Sequence, residues 1–409
     1  MATTGRPLTV GERIEIRRRR LGLSRRVVAQ LAGRSEEWLR QIERGHRELD
    51  SIAALYRMAE VLHLDDPTAL LGHPTSSRSA ARDIAPALTS LNHAIMDHPT
   101  ARAFGVETPG PPPPPEQVRA ALEQCWSSWL GAPDRYTRLT TQLPLVLRSA
   151  RSLRAATRTT ASGSAHDAGL LLAESYHLAR FLLTRVGDYH LAWLVADRPV
   201  GIFADAKQPI LVAVSAWHVA AALNNLGYHA ECRDYALAAA RRLASVRAGR
   251  SVLGALQLVA AYGAAGVGDS IGSQDLVTAA RETAAGLDPE APERRDVWFG
   301  VAEVAIAEID IAVRLGRLSD AVRLAAQVEL ADTASIEQRV RYYTTIAHVY
   351  GLLGDDTSAV VALQRACQAC PEDIRYDWLV HRTLQRLSRR DHHLVRRELT
   401  ALLSVAGLA

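Results

Sequence analysis

"LGLSRRVVAQLAGRSEEWLRQIERG", residues 21–45, sets glycines at 22, 33 and 45 around two short segments with helical apolar spacing. Gly22 ends a helix, because a residue without a Cβ enters the left-handed region at little cost. Ser24 then caps a second helix, Gly33 breaks it, and Ser35 caps a third that closes at Gly45. Trp38, Leu39 and Ile42 share the inward face of that third helix. Upstream, Val10, Ile14, Leu21 and Leu23 form an apolar stripe, with Arg17 to Arg20 on the solvent side. Downstream, a fourth helix is predicted from Ser51, with Ile52, Leu55, Met58, Ala59 and Leu62 at helical spacing.

Two short helices joined by a glycine-containing turn are the signal of a helix-turn-helix. Their order strongly resembles the XRE family of bacterial repressor-like DNA-binding domains over Val10 to Leu64. The residues that carry the likeness are Gly22-Leu23-Ser24, Leu31-Ala32-Gly33, and Ile42-Glu43 followed by Gly45. The resemblance implies a structural Glu43–Arg18 bridge, and a third helix whose Ser35, Glu36, Glu37 and Gln41 face base edges in the major groove. It also implies phosphate contact from Arg25 at the start of the second helix, with Arg26, Arg34, Arg40, Arg44 and Arg47 close by.

Glu36 and Glu37 depart from the family, which most often has Gln, Arg or Ser there. Two readings stand. A glutamate at a base edge accepts a hydrogen bond from cytosine N4, as Gln41 would read adenine. Alternatively the two carboxylates only favour the positive end of the helix dipole, by roughly 0.3–1 kcal/mol.

Composition bounds the rest. The chain has 409 residues, 48% of them hydrophobic and 22% charged, which predicts a globular protein of two or three domains. Net charge is only +4, but residues 1–50 hold twelve Arg against seven Asp and Glu, so the positive excess is concentrated there. No run of eighteen apolar residues and no signal-like stretch occurs, and four cysteines make no disulfide framework. A cytoplasmic location is expected, on the nucleoid when DNA-bound.

From Gly72 the sequence turns polar, and an amphipathic helix is predicted from about Arg82 to Met96 on Ile84, Leu88, Leu91 and Ile95. Five prolines at 111–115 then predict a stiff polyproline II spacer. The expected domains are therefore 1–72, a linker over 73–115, and 116–409. Within the last, Trp126 and Trp129 are expected inside a first helix pair.

Beyond the prolines one plan recurs: a helical run, Gly with a polar neighbour, and a second run. Gly187, Gly227, Gly268, Gly316 and Gly354 mark it, at spacings of 40, 41, 48 and 38 residues. Such periodicity predicts a helical solenoid. The last unit resembles the tetratricopeptide pattern, with Tyr343, Ile346, Ala347 and Tyr350 before Gly354-Asp355, then Ala359, Leu363, Ala366 and Pro371. The whole layout is similar to actinobacterial XRE regulators with a tetratricopeptide-like C-terminal domain, and more distantly to the RRNPP peptide-responsive regulators. The resemblance implies paired DNA-binding heads and a concave face that receives an effector.

On this register the concave face carries Glu174, His177, Phe181 and Thr184, then Trp217, Asn224 and Tyr262. Later repeats add Glu303, Asp310, Arg341, Thr344 and His348. This mixed polar and aromatic lining suits a peptide or an amphiphilic small molecule, and Asn224 and Asn225 offer amides to a peptide backbone. The bland reading is that many of them are solvated or pack between repeats.

Cys367-x-x-Cys370 lacks a second ligand pair, so zinc is not expected, and His392-His393 reads as part of a basic solvated face. With no Walker loop and no GxSxG turn, neither an enzyme nor a cofactor is expected. The reading is all-α: a lambda-repressor-like helix-turn-helix followed by a tetratricopeptide-like solenoid. As a function it predicts a homodimeric, sequence-specific transcriptional regulator on a palindromic double-stranded operator, sensing a peptide or small molecule, without membrane partners. The competing reading is a protein-interaction adaptor with a weak or vestigial DNA-binding head.

Overall fold

Glycines with positive φ end helices in both parts of the chain. The computed structural model describes residues 9–46, 52–62, 70, 88–97, 113–157, 162–203, 208–243, 246, 249–287, 294–328, 330, 334–390 and 394–408. Among these every regular element is helical. Arg47, the His392-His393 pair and the first turns of the expected 82–96 helix lie outside the described residues. The chain divides into two compact units, Met1–Ser79 and Ala80–Ala409.

In the first unit, α1 (Val10–Arg20) starts at a capping box. Thr9 Oγ1 accepts from the Glu12 N–H at 3.3 Å, and the Glu12 carboxylate takes the Thr9 N–H at 2.6 Å. Ser24 and Ser35 cap α2 (Arg25–Leu31) and α3 (Glu36–Glu43), each accepting an N–H at 3.2 Å. α4 spans Ile52–Val61. Ile14, Val28, Trp38, Leu39, Ile42, Met58 and Leu62 fill the core between them. α1 crosses α3 so closely that a Cβ added at Gly11 would lie 2.0 Å from the Ile42 carbonyl oxygen. Gly11→Ala is therefore expected to destabilise this unit by about 1–3 kcal/mol through overpacking. Hydrogen exchange would show protection falling across residues 9–46 while the second unit is unchanged.

In the second unit, five glycines carry one local geometry. Gly187, Gly227, Gly268, Gly316 and Gly354 have φ between 74° and 87°. At each, the following residue donates its N–H back across the turn: Asp188 to Leu183 O at 2.9 Å, Tyr228 to Leu223 O at 3.0 Å, Asp355 to Tyr350 O at 3.0 Å. This is the Schellman closure, which satisfies carbonyls that the helix end leaves open. Where aspartate follows, it also caps the next helix: Asp188, Asp269 and Asp355 accept from Leu191, Gly272 and Ser358 N–H groups. The repeated phrase is thus a stop and a start fused into two residues.

The first helices of successive repeats are Ser162–Arg185, Pro209–Asn225, Arg250–Gly266, Val301–Arg314 and Ile336–Leu353, and they stack on one another. Tyr189–Phe203, His229–Leu243, Ser270–Ala285, Leu318–Ala325 and Asp356–Ala369 are their partners. Trp126 and Trp129, on Pro115–Gly131, are fully buried with Leu139, Leu143 and Phe181.

The expected linker differs from what the structure shows. Helical residues 88–96 place Leu88, Leu91, Ala94 and Ile95 in the same core as Trp126. Their C-terminal carbonyls are held by two arginines. Arg151 donates to Ala94 O, to Asp97 O at 2.8 Å and to Ile95 O at 3.0 Å; Arg198 reaches Ile95 O at 2.5 Å. Buried apolar area and a satisfied helix end make this segment part of the solenoid. The proline run also ends sooner. Pro114 keeps polyproline torsions, φ −55° and ψ 140°, but Pro115 is the first helical residue, a position that needs no N–H.

The solenoid coils until its ends meet. Arg135, fully buried, donates to Glu337 at 2.5 Å and to Asp373 at 2.7 Å, bonds that span 202 and 238 residues of sequence. Arg185 pairs with the same Glu337 and with Asp377 at 2.9 Å, and the Tyr136 hydroxyl donates to Asp373 at 2.8 Å. First and last repeats are joined by a buried ionic cluster.

Candidate nucleic-acid interface and concave cleft

α3 is held against α1 by a charged clamp under its C-terminal end. Arg18 grips Glu43 with two bonds, Nε to Oε1 at 2.6 Å and Nη2 to Oε2 at 3.0 Å, while Nη1 donates to Leu23 O at 3.0 Å. Arg25 Nε adds a third bond to Glu43 at 2.5 Å. Burial alone would raise the Glu43 pKa, but the two arginines lower it below the usual carboxylate value. The bridge between Arg18 and Glu43 is therefore present, and Glu43 points into the protein. Arg25 is only half-available, since it also lies 3.4 Å from Glu15.

The outer face of α3 is open. Arg26, Arg34, Ser35, Glu36, Glu37, Arg40 and Arg44 are exposed, and Gln41 is half-buried. Glu37 ion-pairs with Arg40 one turn along and accepts from Gln41 Nε2 at 3.3 Å. This pairing offsets part of the repulsion a lone carboxylate would feel from a polyanion, the pair being solvent-exposed on both sides. Arg34 lies 5.5 Å from the Trp38 ring centre. Arg26, Arg34 and Arg44 form no ion pair among the described residues, so three guanidinium groups without a carboxylate partner border the helix.

Residues 9–71 match a family model described as a helix-turn-helix domain. The N-terminal unit is a helix-turn-helix domain. No curated protein matches the chain. Among solved structures, it is similar to PlcR of Bacillus thuringiensis, crystallised in complex with the peptide PapR7 and DNA. Identity is 11%, with 87% of this chain and 98% of that chain covered, at a TM-score of 0.34. A likeness that distant has no bearing on ligands or partners.

In the solenoid, the residues expected on the concave face fall into two groups. Glu174, His177 and Phe181 are occupied by the chain itself. Arg295 donates to Glu174 at 2.7 Å and also pairs with Glu123; His177 Nδ1 lies 3.1 Å from Asp296; Phe181 stacks on Trp298 at 4.1 Å with planes 13° apart. Segment 294–299 thus fills the concavity over the first repeats. It sits within the 48-residue interval between Gly268 and Gly316, whose excess over its neighbours was the available signal. Nothing periodic in the segment shows where it docks.

Trp217, Asn224, Asn225, Tyr262, Asp310 and Arg341 line a neighbouring cleft of about 210 Å³, together with Trp298, Glu303 and Arg314. Arg314 is committed: it lies 3.5 Å from Asp310, donates to the Asn224 side-chain Oδ1 at 3.2 Å, and lies 4.9 Å from the Tyr262 ring centre. Glu303 accepts from Gln338 at 2.6 Å. Burial raises the Tyr262 pKa, so its phenol stays a neutral donor. His348 lies outside this lining, 3.3 Å from the Thr383 hydroxyl, and burial pushes it down to about 4.

His177, His218 and Asp296 are brought together in the interior, a grouping with metal-ligand chemistry that sequence spacing did not reveal. The geometry does not fit an ion. The two imidazoles stack at 3.7 Å with planes 12° apart, and a coordinated metal lies in the plane of each ring at about 2.0–2.1 Å. Arg180 donates to His218 Nδ1 at 2.8 Å, and Arg294 donates to both Asp296 oxygens at 3.0 and 2.9 Å. Arginines thus take up His218 Nδ1 and the Asp296 carboxylate, while Nε2 of both His177 and His218 is buried without a hydrogen-bond partner among the described residues. Cys370, buried, donates its thiol to Pro133 O at 3.1 Å, and burial raises its pKa, so the Cys367/Cys370 pair presents no thiolate.

Proposed function

We propose that this protein is a sequence-specific DNA-binding transcriptional regulator, with α3 reading the major groove and the solenoid cleft receiving an effector. The observation that carries this reading is the framing of α3 by Arg26, Arg34 and Arg44, unpaired on a scaffold clamped by Arg18 and Glu43. Glu37, paired with Arg40, is the residue proposed to accept from cytosine N4, with Gln41 beside it on adenine. Ser35 and Glu36, at the amino end of α3, complete the reading face, and Arg25 shares phosphate contact with its structural pairing.

The protein is proposed to act as a homodimer, because one α3 reads only a few base pairs. Two copies on one face of DNA would contact half-sites roughly 34 Å apart. Selection of bound duplexes from a random library tests this. A palindrome with C·G pairs opposite Glu37, lost in Glu37→Gln, is the expected result. A library that returns no enriched sequence, with binding absent even at low salt, overturns the regulator and leaves the adaptor reading. No described helix is long and apolar enough to cross a membrane.

A further inference from the structure

The cleft beside segment 294–299 has a charge balance and a size that narrow its ligand. Its two carboxylates are engaged, Asp310 by Arg314 and Glu303 by Gln338. Arg314 is spent on Asp310 and Asn224. Arg341 is less committed: it helps lower Glu337 through space, but its guanidinium makes no direct ion pair or hydrogen bond among the described residues, and its Nε is buried without a partner. A half-buried guanidinium without an acceptor costs desolvation free energy that an incoming carboxylate, held by two parallel N–H bonds, would offset.

The walls around this charge are aromatic and apolar: Trp217, Tyr262 and Trp298 above Ala221, Ala255, Leu258 and Ala307. An apolar cavity of about 150 Å³ holds benzene. A cleft of about 210 Å³ has room for an aromatic ring and a short acidic arm. Four successive first helices contribute to this lining, but its extent is short for an extended peptide, because the adjoining stretch over Glu174, His177 and Phe181 is already covered by Arg295, Asp296 and Trp298.

We propose that the cleft between Trp217, Tyr262, Trp298 and Arg341 binds a small aromatic carboxylate, with the ring between the aromatic walls and the carboxylate on Arg341. This rests on the effector-responsive reading above and names the effector's chemical class.

Calorimetric titration of the full chain with indole-3-acetate and with its neutral amide, indole-3-acetamide, tests it. The carboxylate is expected to bind saturably, at least about tenfold tighter than the amide, a preference of ~1.4 kcal/mol. Arg341→Gln should erase that preference, and Arg341→Lys should keep part of it, with thermal melting confirming that both variants fold. Equal affinity for the two probes, an unchanged preference in Arg341→Gln, or no saturable binding of either overturns the assignment. The same titration is repeated with the selected duplex present. Carboxylate binding that leaves DNA affinity unchanged upholds the cleft and removes effector-linked regulation; absence of carboxylate binding, with and without duplex, while DNA recognition is intact overturns the cleft and leaves the DNA-binding reading standing.

Discussion

Arg135→Met is expected to lower the unfolding free energy of the helical unit by roughly 3–5 kcal/mol, the usual cost of removing one partner from a buried ion pair. Arg135 and Asp373 are fully buried and Glu337 is nearly so. Without the guanidinium, two carboxylates stay desolvated in the interior, and Arg185 can neutralise only one of them well. Urea unfolding of the full chain measures the loss. A change below about 1 kcal/mol would mean that the Arg135 ion pairs add nothing net to the closure.

The same cluster predicts a dependence on pH. Burial would raise the Glu337 pKa, but Arg185 and Arg135 hold it down to about 2, against an ordinary 4.5. A group lowered in the folded state contributes stability that is fully present above its unfolded value. That contribution is lost as pH falls from about 4.5 towards 2. Asp377 runs the other way, since burial raises it despite Arg185, so its protonation relieves part of the strain on acidification. Glu337→Gln should flatten the stability profile in this window.

The second large effect is expected on DNA. Replacing Arg26, Arg34 and Arg44 together with alanine should weaken binding to every duplex and flatten its salt dependence. Each lost phosphate contact lowers the slope of log affinity against log salt by about 0.9. Glu37→Gln should instead alter which sequence is preferred, by roughly 1–3 kcal/mol at one base pair. Electrophoretic mobility shift over a salt series separates the two behaviours. A triple variant with unchanged slope would show that these arginines do not meet the backbone.

Much of the helix-turn-helix was legible from residue identities, because its determinants are local. Ser24, Ser35 and the glycines at 22, 33 and 45 act through backbone preferences within a few residues. Trp38, Leu39 and Ile42 act through a period of 3.6. The repeat glycines from 187 to 354 were legible for the same reason: a left-handed residue after a helix is a local demand, and five copies at regular spacing declare a stacked array. The pairing of Glu37 with Arg40 was also within reach, since residues three apart on a helix face are neighbours.

Other features depend on which distant surfaces meet, and periodicity is silent about that. Nothing around Leu91 or Arg151 says that the 88–96 helix docks into the solenoid instead of spanning a linker. Nothing in 294–299 marks it as the filling of the concave face, since an irregular segment finds its place through partners such as Glu174 and Phe181 more than a hundred residues away. Helix ends, caps and the repeat were therefore written into short stretches of chain, where a torsion or a turn of helix is the whole cause. The closure of Arg135 onto Glu337 and Asp373, and the placing of Arg341 at its cleft without a direct ion pair, were decided only when the fold chose which charges would be buried together.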